Sequence, residues 1–184
     1  IKELLENYNY KIVNVLEGNE IYIPENITHL IIMGSRENPL KFSSIIVKYI
    51  KKTVFNIIQY FIYNKLPILG ICYGCQLLYL YFGGSLSYID SINRTLYKGY
   101  HANYINKNPK IKRLIRNLSN PFEAKFSNKF CLDPTTIPND IEIIANTSKI
   151  ISVIRHKEYH IYGCQFHPER CLNGFIILKK FINL

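Results

Sequence analysis

Residues 66–82 read LPILGICYGCQLLYLYF, and this stretch limits the fold more tightly than any other. LPILGI, entered through Pro67, is a short apolar run of the kind that forms a strand buried on both faces. GCQLLYLYF follows at once and reads as a helix, ended by Gly83 and Gly84. At the junction stands Cys72, with Gly70 two residues before it and Gly74 two after it. Small residues at those positions let the chain turn sharply while the residue between them holds a strained backbone. A buried strand running straight into a helix is a building unit of α/β folds.

The first half of the chain carries the same rhythm. IKELLENYN reads as a helix with Leu4 and Leu5 facing inward, and KIVNVL as a strand by its β-branched content. THLIIM reads as a second strand buried on both faces. A loop, GSRENPL, follows. A long helix is then expected from about Ser43 to Asn64, with Ile46, Ile50, Val54, Ile57, Ile58 and Phe61 at helical spacing. After Gly84 short strands dominate: SLSYI, GYHANYI, FEAKF, IEIIANT, IISVIRH and IYGCQF. GFIILKKFI closes the chain as an amphipathic helix. We therefore expect an α/β fold with a mostly parallel central sheet flanked by helices and a smaller antiparallel region in the second half. No linker divides the chain, so residues 1–184 are expected to form a single domain.

Hydrophobic residues make up 48% of the chain and charged residues 20%, the balance of a globular protein. The net charge of +10 is spread along the chain among Ile, Asn and Tyr. The denser basic stretch, Lys107 to Arg116, reads as a solvated face or a docking patch for a partner subunit rather than a nucleic-acid surface. No nucleic acid and no membrane are expected as partners, and the polar opening residues have no leader pattern. Five cysteines in no secreted framework point to free thiols and a cytoplasmic setting.

Cys72 and Cys75 are spaced Cys-x-x-Cys, which allows a redox pair, half of a zinc site, or one nucleophile beside a core cysteine. The redox reading does not need glycines on both sides of the first cysteine. The zinc reading needs a second close ligand pair, and Cys131, Cys164 and Cys171 are scattered. The nucleophile reading explains the glycines and places Cys72 at a helix N-terminus, where backbone N–H groups and the helix dipole favour a thiolate. The N–H of Tyr73 is then available as half of an oxyanion hole. Such a cysteine needs a base, and the base needs an orienting group. His29 and His101 read as structural or exposed, and His156 and His160 as surface residues around a hairpin turn. His167 follows a buried strand in HPE, at the strand end that faces the crevice of an α/β fold. Glu169 is placed to accept from its imidazole.

Taken together, GICYGCQ and HKEYHIYGCQFHPE resemble the two signatures of the class I glutamine amidotransferases, and within that family most resemble the GMP synthetase branch. The likeness runs over nearly the whole chain and implies a flavodoxin-like fold. It implies that Cys72 attacks the side-chain amide of glutamine, His167 shuttles the proton and Glu169 orients it. Tyr73 and the Gly34–Ser35 turn would supply oxyanion donors, and Gly34, Gln76 and Phe130 would line the glutamine pocket. The ammonia would pass to an ATP-dependent synthetase subunit or domain. ATP and magnesium are expected on that partner, and no cofactor or metal on this chain. Three departures stand out. The family's glycine-rich turn reads MGSRENP here, so Ser35, Arg36 and Glu37 occupy positions where ordinary residues resist positive φ. FSNKF replaces a His-Gly-containing loop with Asn128 and Lys129. The family's first strand is missing ahead of the first helix and is expected to precede the residues given. Two other readings remain at this point: a weak or inactive regulatory homologue, and a γ-glutamyl hydrolase that works without a synthetase.

Overall fold

The computed structural model describes residues 2–17, 21–41, 44–106 and 114–184. Among these the chain forms nine strands and three α-helices. In order they are β1 (Leu30–Ile32), α1 (Ile45–Tyr63), β2 (Ile68–Ile71), α2 (Tyr73–Tyr81), β3 (Leu86–Tyr88), β4 (Tyr97–Ile105), β5 (Phe122–Asn128), β6 (Phe130–Leu132), β7 (Ile141–Asn146), β8 (Ile151–His156), β9 (Ile161–Cys164) and α3 (Leu172–Ile182).

Seven strands form one sheet in the order β1-β2-β9-β8-β7-β4-β5, and β3 pairs with β6 in a small antiparallel sheet. The pairings β1–β2 and β2–β9 are parallel. From β9 through β8, β7 and β4 to β5 they are antiparallel. The expected α/β architecture is present, but the central sheet is mixed rather than mostly parallel, because most of the antiparallel strands of the second half continue it instead of forming a separate region.

Helices cover both faces. β2 shows why: Ile68 packs with α1 and α2 residues Ile50, Val54, Ile58, Phe61, Leu77 and Leu78. Leu69 and Ile71 point the other way, into a cluster with Phe122, Phe126, Phe166, Leu178 and Phe181. Alternate side chains of a strand leave opposite faces, so a strand with a helix layer on each side must be apolar throughout. α1 starts where Ser44 caps it, its hydroxyl accepting from the Val47 N–H at 3.5 Å. Its buried stripe is Val47, Ile50, Val54, Ile58 and Phe61. Ile46 is not part of it: it is 50% exposed, because Val47 occupies the inward position of the first turn.

The first segment departs from expectation. IKELLENYN makes only a 3-10 turn at Glu3–Leu5, with Leu4 packed against the core. So short an element has too few neighbours to hold a full helix. KIVNVL forms no strand: its end, Val15–Glu17, is another 3-10 turn, with Val15 packed in the α1–α2 cluster. β-branched residues favour a strand only where a neighbouring strand offers a ladder. β1 is half-buried rather than buried, because β2 is its one partner among the described residues. Ile1 and Ser43, and residues 107–113 of the basic stretch, lie outside the described residues. No helix among the described residues is long and apolar enough to cross a membrane.

Candidate active site

Gly34, Cys72 and His167 come together because each follows the C-terminal end of one of three adjacent parallel strands, β1, β2 and β9. The register pairs Ile71 with Cys164, and the Cys72 N–H extends the ladder to Cys164 O at 2.8 Å. Residues just beyond β2 and β9 therefore emerge side by side, which is where crevices form in open α/β sheets.

Cys72 caps α2 with φ 54° and ψ −105°. That left-handed φ is costly for a residue with a Cβ, and such strain collects at functional sites. The close packing around it explains the two glycines. A Cβ on Gly70 would fall 2.5–2.7 Å from the main chain of Gly74 and Cys75, and one on Gly74 would run into the carbonyl of Ile32. Both positions must lack a side chain for α2 to sit tightly on β1 and β2. As the first residue of α2, Tyr73 has an N–H with no intrahelical acceptor, on the same turn as the thiol. Its phenol packs among α1 and α2 residues, where burial and then Glu37 push its pKa to about 12.

His167 is buried, and its N–H donates to Lys125 O of β5 at 2.9 Å. Its Nδ1 lies 2.8 Å from Glu169 Oε1. Hydrogen bonds first to Cys72 and then to Glu169 raise its pKa to about 9, against burial, which opposes the charge. For Glu169 burial pushes the carboxyl up. The His167 hydrogen bond and the charges of His167 and Arg170 outweigh it, so the net displacement is downward. Arg170 lies 3.6 Å from the same oxygen but is largely exposed. The turn carrying the pair is clamped by α3: a Cβ on Gly174 would meet the Pro168 main chain.

The other expected residues are placed as follows. A Cβ on Gly34 would sit 3.4 Å from Cys72 Cβ and 3.4 Å from His167 Cε1, so the β1 loop lies directly over the pair. Ser35 is exposed, and its hydroxyl accepts from the Glu37 N–H at 3.2 Å, closing the turn on itself. Gln76 is buried, and its Nε2 donates to Phe130 O at 3.0 Å and to Gln165 Oε1 at 3.3 Å. With that nitrogen committed, only the carbonyl oxygen of Gln76 is left for a ligand. Phe130 is buried and packs on Tyr88 with ring centroids 4.7 Å apart. Cys75 is fully buried and its thiol pKa is pushed well up by desolvation, as a core cysteine's should be.

Two residues differ from the sequence reading. His156 is not on the surface but 5% exposed. Its Nδ1 accepts from the N–H groups of Glu158 and Tyr159 at 3.1 Å each, and its ring packs on Phe82 and Tyr159. A ring nitrogen that accepts must be unprotonated, and burial lowers the pKa accordingly. Asn128 stood out only as a departure from a family pattern. It lies at the thiol, its Nδ2 3.3 Å from Cys72 Sγ and 3.1 Å from Gln165 O. The alternation Phe122, Ala124, Phe126, Asn128 along β5 was the available signal, since it puts Asn128 on the buried face.

A strained cysteine at a helix N-terminus, beside a histidine held by a carboxylate, is equipped for nucleophilic acyl transfer. The family model Glutamine amidotransferase class-I matches residues 3–182. The chain is 32% identical over 121 residues to anthranilate synthase component 2 of Methanothermobacter thermautotrophicus, covering 64% of this chain and 58% of that one. It is 35% identical over 129 residues to one of the subunits of the glutamine-hydrolyzing GMP synthase of Methanobrevibacter smithii, covering 68% of this chain and 63% of that one. The matches thus span about six-tenths of the length of these curated relatives. The fold is that of a glutamine amidotransferase from Thermotoga maritima, with a TM-score of 0.76, 17% identity, and coverage of 99% of this chain and 74% of that one.

Proposed function

The chain belongs to the class I glutamine amidotransferases, and from that premise we propose that it hydrolyses glutamine to glutamate and ammonia through Cys72, His167 and Glu169. The thiolate of Cys72 attacks the side-chain amide carbon. The developing oxyanion is received by the N–H of Tyr73 and by the Gly34–Ser35 turn. His167, protonated at neutral pH, gives its proton to the departing ammonia. This leaves a γ-glutamyl thioester and a neutral imidazole, which takes a proton from the water that then releases glutamate. Glu169 keeps Nδ1 bound so that the other ring nitrogen faces the sulfur.

The observation that carries the reading is the pairing of a left-handed Cys72 with a His167 held 2.8 Å from Glu169. The ammonia would pass to an ATP-dependent synthetase, with ATP and magnesium on that partner. We favour a GMP synthetase: Tyr73 after the nucleophile and the IYG-QFHPE ending are the features that favour it. Relatives named for anthranilate synthesis are about as similar, so the partner must be tested directly.

The experiment is ammonia release from glutamine, measured for the chain alone and with GMP synthetase or anthranilate synthase component 1 added. Stimulation by the GMP enzyme is expected. Cys72→Ala should lower turnover by about 10⁴-fold or more. Full activity in that variant, or no ammonia with any partner, would sink the proposal.

A further inference from the structure

We propose that Asn128 is a positioning residue for the Cys72 sulfur, holding it as the anionic nucleophile by donating a side-chain N–H to it. The contact stands on geometry; its consequence for turnover rests on the glutaminase reading above.

Asn128 ends β5 and is 3% exposed, with every polar atom of its amide engaged. Nδ2 donates to Gln165 O at 3.1 Å and to Cys72 Sγ at 3.3 Å, and Oδ1 accepts from the Ser127 N–H at 3.2 Å. The main chain fixes which way the amide faces. Turned over, its oxygen would meet the carbonyl oxygen of Gln165, and its nitrogen would meet the N–H of Ser127. Both contacts would place like against like in a buried site, at the cost of two hydrogen bonds. A donor, not an acceptor, is therefore held against the sulfur.

A thiolate is a strong acceptor and a thiol a weak one, so a fixed donor favours the anion. His167 reaches the same sulfur but gains and loses its proton during the reaction. Asn128 does not titrate, and its hydrogen bond is available whatever the state of His167. In the thioester the sulfur accepts poorly. When water attacks, the carbon–sulfur bond breaks and its electron pair returns to sulfur. The Asn128 N–H regains its full partner at that step, which lowers the barrier to releasing glutamate.

The test is the rate at which iodoacetamide alkylates Cys72 as a function of pH, followed by mass spectrometry of the peptide holding Cys72 and Cys75. Two variants remove the donor: Asn128→Leu without charge, and Asn128→Asp with the same shape. Below neutral pH the rate is expected to fall about tenfold in Asn128→Leu, the size of one hydrogen bond to a charged group. It is expected to fall further in Asn128→Asp, whose carboxylate also repels the thiolate, and both are expected to rejoin the wild type at high pH. Glutamine turnover should fall with it, and the thioester should accumulate. A folded variant whose alkylation profile superimposes on the wild type overturns the proposal. In the wild type, the Asn128 side-chain amide resonance should move when Cys72 is alkylated; a stationary resonance overturns the proposal without any variant. A wild-type chain that hydrolyses no glutamine with either synthetase added overturns the proposed function and leaves this contact standing, because alkylation reads the sulfur alone.

Discussion

Cys72 and His167 interact through charge as well as position, and the consequences depend on pH. His167 has its pKa raised to about 9, so its proton is in place at neutral pH and is lost as pH rises through that value. Ammonia departure needs that proton, so kcat should fall along an alkaline limb near pH 9, seen in a pH–rate profile. Folding stability follows the same linkage. A raised histidine pKa adds stability that is complete below the unfolded value of 6.5 and is lost as pH climbs through about 9. The lowered Glu169 adds stability above its ordinary 4.5 and loses it as pH falls through its lower folded value. Both contributions are complete only between pH 4.5 and 6.5. The melting-temperature gap between wild type and Glu169→Gln should be widest there and narrow toward pH 9. An invariant gap would show that the pair carries no charge. Glutamine turnover in that variant should fall on the order of 10³- to 10⁴-fold. At this scale Cys72, His167 and Glu169 were legible in sequence because two short motifs fix their local geometry. Asn128 was not, since the sulfur it faces is 56 residues away in the chain.

At the scale of elements, the turn from β2 into α2 depends on side chains that are absent. Gly74 is the sharper case, because the Ile32 carbonyl it faces belongs to a strand held in a parallel ladder with β2. Gly74→Ala must push α2 off β1 or tilt the elbow. We expect a loss of about 1–3 kcal/mol in urea unfolding, the range for overpacking, together with a fall in turnover larger than stability alone explains. A neutral result would mean that the elbow can relax. The sequence pattern placed α1 and α3 well, because each buries an apolar stripe at helical spacing, and α2, buried on all sides, because Gly83 and Gly84 mark its end. It failed for IKELLENYN and KIVNVL, which pack on the core through Leu4 and Val15 but pair with no strand among the described residues.

For the whole molecule, the core on the α3 side links the sheet to the site. Phe166 is fully buried against Phe122 and Phe126, with centroids at 6.0 and 5.7 Å, and it immediately precedes His167. Phe166→Ala should cost about 3–5 kcal/mol in urea unfolding and should lower kcat more than it changes KM, because the anchor of His167 is lost. A cost under about 1 kcal/mol would contradict the packing described. β8 and β7 matter at the same scale: their antiparallel run carries the sheet from β9 toward β5, and β5 brings Lys125 O and Asn128 to the site.

By itself the sequence determined the features that depend on neighbours along the chain: the strand-to-helix elbow, the strained position of Cys72, the pairing of His167 with Glu169 two residues on, and the α/β rhythm. These are set by backbone sterics and short-range geometry. Tertiary structure alone decided that β1, β2 and β9 align so that Gly34, Cys72 and His167 meet. It also buried His156 as an acceptor in a turn, committed the nitrogen of Gln76 to Phe130 and Gln165, and turned the amide of Asn128 toward the thiol. Each of those depends on strand register and on which polar atoms are left without water, and neither is encoded in any single stretch of residues.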